Sequence, residues 1–261
     1  MTQLRFYQID AFAGRPFEGN PAAVIPLESW LPDEMMQAIA LENNLSETAF
    51  TVPTAGDADY ELRWFTPTVE VAMCGHATLA SGHLLIEGDE VRFRTRKAGI
   101  LKVRRDGDAL TLDLPVIRTR PGRNDALLDL LGTPAADVFL SEEGSQATAI
   151  VLLPDEAAVR ALAPDMRRLA AVELMVIATA PGDETDVASR VFVPAWGVDE
   201  DPVTGSAHAA LTPFWCERLG RDRFGAFQAS RRGGRVACRL AGDRALLGGS
   251  CVTVIEGTMR L

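Results

Sequence analysis

The chain has 261 residues, 47% of them hydrophobic, enough to bury a sizeable core in one large or two smaller domains and too many for a disordered chain. Its 26 Lys+Arg against 36 Asp+Glu leave a net charge of -10, which repels a phosphate backbone, so nucleic acid is excluded as a partner. The opening residues lack a basic stretch followed by an apolar one, and no run of about eighteen apolar residues occurs, so a cytoplasmic protein with no membrane partner is expected.

The opening LRFYQIDAF has strand character, and the turn-rich GRPFEGNPAAVIPL follows with a short apolar strand at Ala22 to Ile25. Pro32 in a first turn, Asp33 and Glu34 at the positive end, Met35, Ala38 and Ile39 at helical spacing and the Asn43-Asn44 stop predict a helix over 32–43. Strands are predicted near 45–52 and 60–66. From Val91 to Leu114, VRFRTR, GILKVRR and ALTLDL alternate apolar and polar residues across short turns, one of them Asp106-Gly107, and predict an antiparallel meander. The arginines there read as the wet face of strands, not as a nucleic-acid arm. The polar segment 117–125 carries Pro and Gly near the midpoint and is the best linker candidate, dividing lobe 1–118 from lobe 119–261. Beyond it the pattern predicts a helix over 125–131, strands near 138–140 and 147–153, helices near 155–171, strands near 173–179 and 189–193, and a strand-rich tail from Gly225.

An internal repeat organises these elements. Phe65, Pro67 and Val71 run into Cys74-Gly75-His76 and an apolar helix; Phe192, Pro194 and Val198 run into Asp201 and Thr204-Gly205-Ser206 and a second helix. Both copies read F-x-P-x-x-x-V at an offset of 127 residues, and the ninth residue after Phe is Cys74 in one and Asp201 in the other. Duplication of one α+β unit is the preferred reading. A small-residue turn that opens into a helix presents backbone N–H groups and the positive end of the helix dipole, a ready site for a carboxylate. Two such turns facing each other across a cleft would suit a small carboxylate-bearing substrate; the alternative is that Gly75 and Gly205 only turn the backbone and Ser206 only caps a helix.

Four widely spaced cysteines without a C-x-x-C pair indicate neither a zinc site nor a disulfide framework, three scattered histidines make no metal cluster by themselves, and no glycine-rich nucleotide loop is present. No metal and no cofactor are therefore expected. His76, in a first helical turn, is favoured as a neutral ring and is placed to relay a proton, with an ordinary packed histidine as the alternative. His83 and His208 read as structural. Asp201 stands in an acidic run, Asp199 to Asp201, that would ordinarily be a solvated loop; its place opposite Cys74 singles it out. Glu47 in NLSETAF lies in an apolar, strand-like run, where burial would raise its pKa toward neutrality and fit it to take and return a proton; an outward-pointing carboxylate is the alternative.

The segments QIDAFAGRPFEGNPAAVIPL, NLSETAF, FTPTVEVAMCGHATLASGH, GVDEDPVTGSAHAAL and QASRRGGR resemble the PhzF phenazine-biosynthesis-like isomerase family, which shares the diaminopimelate epimerase fold. The resemblance implies an α+β protein of two pseudo-symmetric lobes, each a curved, mostly antiparallel sheet wrapped around a central helix, with the active site in the cleft between them and a C-terminal strand that can return to the first lobe. It implies Glu47 as acid/base residue, His76 and Asp201 completing the catalytic constellation, and Gly75, Gly205 and Ser206 holding the substrate carboxylate. Asn20, Ser46 and Cys74 join these as substrate-binding candidates within the same motifs. The implied reaction is a cofactor-independent proton shift of the kind that isomerises trans-2,3-dihydro-3-hydroxyanthranilate, in a homodimer. Similar epimerases use two cysteines; here Asp201 stands where the second would be, so a two-thiol mechanism is not available. A racemase using Cys74 with Asp201 or Glu47, and a non-catalytic small-acid binding protein, are the alternatives, and thermal stabilisation by a ligand without solvent exchange would mark the last.

Overall fold

The structure is a computed structural model describing residues 2–142 and 146–261. The chain divides into two compact units, Met1–Leu114 with Leu246–Leu261 and Pro115–Ala245. The first holds β1 (Gln3–Ala11), β2 (Asn20–Pro26), α1 (Asp33–Asn43), β3 (Glu47–Pro53), β4 (Tyr60–Phe65), β5 (Glu70–Val71), α2 (Gly75–Leu85), β6 (Glu90–Thr95), β7 (Ile100–Asp106) and β8 (Ala109–Pro115). The second holds β9 (Thr119–Gly122), α3 (Asp125–Leu131), β10 (Asp137–Ser141), β11 (Thr148–Leu152), α4 (Glu156–Ala161), α5 (Met166–Leu169), β12 (Met175–Pro181), β13 (Val187–Val193), β14 (Val198–Asp201), α6 (Gly205–Leu219), β15 (Arg223–Gln228) and β16 (Gly234–Ala241). β17 (Arg244–Gly249) carries the chain back, and β18 (Cys251–Arg260), which a linear division would leave in the second lobe, pairs antiparallel with β1.

Each unit follows the same plan. In the first, β1–β2 and β3–β4 are antiparallel while β2–β3 and β4–β6 are parallel. In the second, β10–β11 and β12–β13 are antiparallel while β11–β12 and β13–β15 are parallel. Parallel neighbours need a crossover, and the helices supply it: α1 and α2 in one unit, α4 with α5 and then α6 in the other. The fold class is α+β as expected, and the meander over β6, β7 and β8 pairs antiparallel throughout.

α2 and α6 are the central helices. Every residue from Gly75 to Gly82 is buried, as is every one from Gly205 to Thr212, which is how a helix apolar on all sides must sit. α2 packs against β1, β2, β3, β7 and β18. Its approach to β7 requires Gly82: a Cβ there would lie 2.5 Å from Val103 Cγ1. α1 ends at Asn44, whose left-handed φ of 48° explains the predicted stop.

Two expectations need correction. The segment 117–125 is not a free linker, because Thr119–Gly122 forms β9 and pairs with β10; Pro121 is tolerated because β9 pairs on one side only among the described residues. The repeat also changes register between its Phe and its helix. α2 begins at Gly75 and α6 at Gly205, an offset of 130, so the second copy carries three extra residues after Phe192. Thr204, not Asp201, holds the position before α6 that Cys74 holds before α2.

Candidate functional site

Four predicted residues meet in the first unit. Asn20 opens β2, Glu47 opens β3, Cys74 is the residue before α2 and His76 lies in its first turn; β2 and β3 are parallel neighbours with Ala22 beside Glu47. The Asn20 side-chain nitrogen lies 3.1 Å from His76 Nδ1, Cys74 Sγ lies 3.5 Å from the same nitrogen, and His76 Nε2 lies 3.2 Å from Glu47 Oε2. An amide nitrogen only donates, so Nδ1 accepts and the ring proton sits on Nε2, facing the Glu47 carboxylate. Burial pulls the His76 pKa down to about 3, so the ring is neutral at physiological pH. His76 therefore stands beside Glu47 as a neutral ring, not as a cation. Gly75 is buried at the start of α2, and Ser46 sits partly buried in the bend before β3.

A loop delivers Asn20 to this cluster. Asp10 is fully buried, and its Oδ2 accepts the Phe17 N–H at 2.8 Å. Phe12, Phe17 and Gly19 all take positive φ, at 56°, 74° and 64°. Strain of this kind is kept where the surrounding contacts over-determine it, and here they fix where β2 begins. Asp10 was missed by pattern reading, because a carboxylate in an alternating strand reads as outward-facing.

The second unit holds its own polar cluster. Asp201 ends β14 and is buried, instead of lying in a solvated acidic loop, because β14 pairs with β13 and Glu200 pairs with Arg190 at 2.7 Å. Asp201 Oδ2 accepts from Thr204 Oγ1, while Gln228 donates to the Asp201 carbonyl at 2.6 Å and accepts the Thr204 N–H at 2.9 Å. Gln228 opens the QASRRGGR segment, and that was the one signal pointing to it. Gly205 and Ser206 start α6, with Ser206 Oγ 3.5 Å from Met175 Sδ. His208 is fully buried with Nδ1 2.8 Å from the Thr204 carbonyl, and burial brings its pKa down to about 4. His83 Nε2 lies 3.3 Å from Thr253 Oγ1, away from the Glu47 cluster.

Neither central helix is capped by a side chain, and neither has an acidic residue in its first turn. By contrast α3, α4 and α5 are each capped, by Asn124, Asp155 and Asp165. The first N–H groups of α2 and α6, with the positive helix end behind them, are donors of the kind a carboxylate can accept.

The chain matches the profile of the family described as phenazine biosynthesis-like protein over residues 9–257. An uncharacterized isomerase of Pseudomonas aeruginosa is 47% identical over 266 aligned residues, covering 99% of this chain and 100% of that one. The crystal structure of a PhzF-family phenazine biosynthesis protein of Enterococcus faecalis superposes with a TM-score of 0.89 at 39% identity, over 100% of both chains. A hydroxyproline epimerase of Agrobacterium vitis, solved with bound trans-4-hydroxy-L-proline, shares the fold at a TM-score of 0.63 and 14% identity, over 98% of this chain and 92% of that one.

Proposed function

Since the chain belongs to the phenazine biosynthesis-like protein family, we propose that it is an isomerase which moves a proton within a small cyclic or amino-acid-like carboxylate, without a cofactor. The observation that carries this reading is the Asn20, His76, Glu47 relay, with its 3.1 Å and 3.2 Å spacings. Asn20 fixes the tautomer, His76 stands beside Glu47 as a neutral ring, and Glu47 is the base. A neutral neighbour leaves the carboxylate the basicity that an adjacent imidazolium would remove. Glu47 takes a proton from a substrate carbon, the electron pair shifts through the conjugated system, and the same carboxyl returns the proton at a second position. The N–H groups at the start of α2, that of Gly75 among them, bind the substrate carboxylate, and Ser46 lies beside the base on the chain; Gly205, Ser206 and Asp201 make up the corresponding polar cluster of the second unit. Assembly as a cytoplasmic homodimer completes the proposal, with light scattering of the purified chain as the check on its dimeric state.

The test is deuterium uptake from heavy water into a trans-2,3-dihydro-3-hydroxyanthranilate-type substrate. Glu47→Gln should lower the exchange rate by about 10²–10⁴-fold, the usual worth of a general base. Undiminished exchange in that variant refutes the role of Glu47.

One observation favours a second reading: Cys74 Sγ, 3.5 Å from His76 Nδ1, has a proton acceptor within reach. In an amino-acid racemase or epimerase this thiol would be one base, with Asp201 or Glu47 as the other. That reading requires α-proton exchange on an amino acid which Cys74→Ser abolishes.

A further inference from the structure

The two units share a pair of charged side chains that the proposed chemistry does not use. On β4, the Arg63 guanidinium forks onto the Glu70 carboxylate of β5, Nε donating to Oε1 at 2.8 Å and Nη2 to Oε2 at 2.9 Å. On β13, Arg190 forks onto Glu200 of β14 through the same atoms, at 2.7 Å and 2.9 Å. Each guanidinium lies over the ring two residues further on, that of Phe65 at 5.0 Å and that of Phe192 at 4.9 Å. The third arm of each grips a crossover helix of its own unit. Arg63 Nη1 donates to Asp33 in the first turn of α1 at 2.8 Å, and Arg190 Nη1 to the carbonyl of Leu162, which ends α4, at 2.7 Å. The arginines are 127 residues apart and the glutamates 130, so the three extra residues of the second copy fall between the partners and the pair survives them. Each glutamate stands five residues before the glycine that opens a central helix, Gly75 or Gly205.

We propose that Arg63 and Arg190 are positioning residues, each fixing, through its glutamate, the turn that opens the central helix of its unit. Burial does not hold the segments that lead into these turns: no residue from Pro67 to Met73, or from Pro194 to Glu200, is buried. β5 is only two residues long, and its ladder with β4 has two register pairs. The fork supplies what is missing, because two parallel bonds from a planar group set direction as well as distance. The Arg63 side chain is only 3% exposed, so its grip is made out of water, and its hydrogen bonds hold the Glu70 carboxyl below the usual carboxylate range. Stability is a weak reason for such a pair, since a buried ion pair adds little over apolar residues of the same volume. What the grip places is function-bearing: Cys74, Gly75 and His76 after Glu70, and Asp201, Thr204 and Gly205 after Glu200. The effect on turnover rests on the isomerase reading; the effect on the turns does not.

Arg63→Lys in the intact chain keeps the charge and loses the fork. It should shift the side-chain nitrogen signals of His76 and speed amide hydrogen exchange over residues 70–76 by about tenfold or more, while the β6–β7 hairpin keeps its native rates. Arg104→Lys makes the same change at the exposed pair with Glu90, between β6 and β7, and should move neither readout. A displacement of about 1 Å at the turn should lower kcat for deuterium uptake by about 10²-fold. A pair that only stabilises the fold would lower Tm and leave the His76 signals, the exchange over 70–76 and kcat of the folded chain unchanged, and that result overturns the proposal. Should Arg63→Lys fail to fold, Glu70→Gln, made on the more exposed partner, decides by the same readouts. Arg190→Lys should speed amide exchange over residues 200–206, and native rates there overturn the role of Arg190. If the native chain shows no solvent exchange on any substrate, the isomerase reading falls, while the nitrogen signals and the amide exchange still decide the role of both arginines.

Discussion

His208 offers a clean measurement of what burial does to an ionisable group in this fold. The ring is fully buried in α6, its Nδ1–H is directed at the Thr204 carbonyl at 2.8 Å, and burial brings its pKa from an ordinary 6.5 to about 4. Because the folded pKa lies below the unfolded one, the unfolded chain takes up a proton that the folded chain refuses. The contribution is therefore complete above pH 6.5 and is lost as the pH falls through the window from 6.5 to about 4. At about 1.36 kcal/mol for each pH unit, the whole window is worth about 3.4 kcal/mol. His208→Asn places an amide nitrogen where Nδ1 lies, so it keeps a donor for Thr204 and removes the titration. Its cavity costs a fixed amount at every pH. Urea denaturation of both proteins from pH of about 7.5 to about 4.5 measures the difference, in which His76 and the carboxylates cancel. The native chain should lose about 2–3 kcal/mol more than His208→Asn over that range. Parallel curves would refute the burial argument, and with it the claim that His76, under the same influence, is neutral.

Asn20→Ala removes the donor that holds His76 Nδ1 as an acceptor. Nitrogen chemical shifts of the ring should move from the Nε2–H tautomer toward a mixture, and exchange activity should fall by about tenfold, the worth of about 1.4 kcal/mol; an unchanged tautomer refutes the relay. Gly19→Ala sets a Cβ against the Ala11 carbonyl oxygen at a φ of 64°, so it should cost more than about 2 kcal/mol in denaturant titration, against a near-neutral change if the loop is free to adjust. Gly82→Ala gains about 1 kcal/mol of helix propensity but drives a methyl into Val103, and overpacking of about 1–3 kcal/mol should leave a net loss; a stabilised variant would show that β7 yields to α2.

How much of this was legible in the sequence followed the range of the interactions involved. α1 was readable because its start, its apolar spacing and its Asn44 stop are all local, and the β6–β8 meander because strict alternation survives in antiparallel strands with one wet face. The pairing of Glu47 with His76 joins residues 29 positions apart across a parallel strand and a crossover, which no local pattern encodes. Resemblance to a family supplied the names Glu47, His76 and Asn20; geometry supplied the tautomer. β9 was read as a linker because its Pro and polar residues are also what an edge strand tolerates. The three-residue change of register inside the repeat was invisible because Val198 matches Val71 by spacing, whereas in the sheet Val71 pairs with Trp64 and its counterpart Asp201 pairs with Val191.

The residues before α2 and α6 share a further feature, since both central helices begin uncapped. An absent cap forgoes about 1 kcal/mol, and the shorter helices α3, α4 and α5 all have one, so the omission in α2 and α6 is not a general looseness of the sequence. In each unit the side chain at the capping position is turned to other use. Cys74 Sγ approaches His76, and Thr204 spends its hydroxyl proton on Asp201, three residues before it. α1 also begins without a side-chain cap, but Asp33 and Glu34 in its first turn satisfy the dipole, and α2 and α6 have no such residues. Each central helix thus begins beside a carboxylate from elsewhere in its unit, Glu47 at 3.2 Å from His76 in α2 and Asp201 bonded to Thr204 before α6. The same omission recurs in both copies while the side chains beside it, a thiol in one and a hydroxyl with a carboxylate in the other, have diverged.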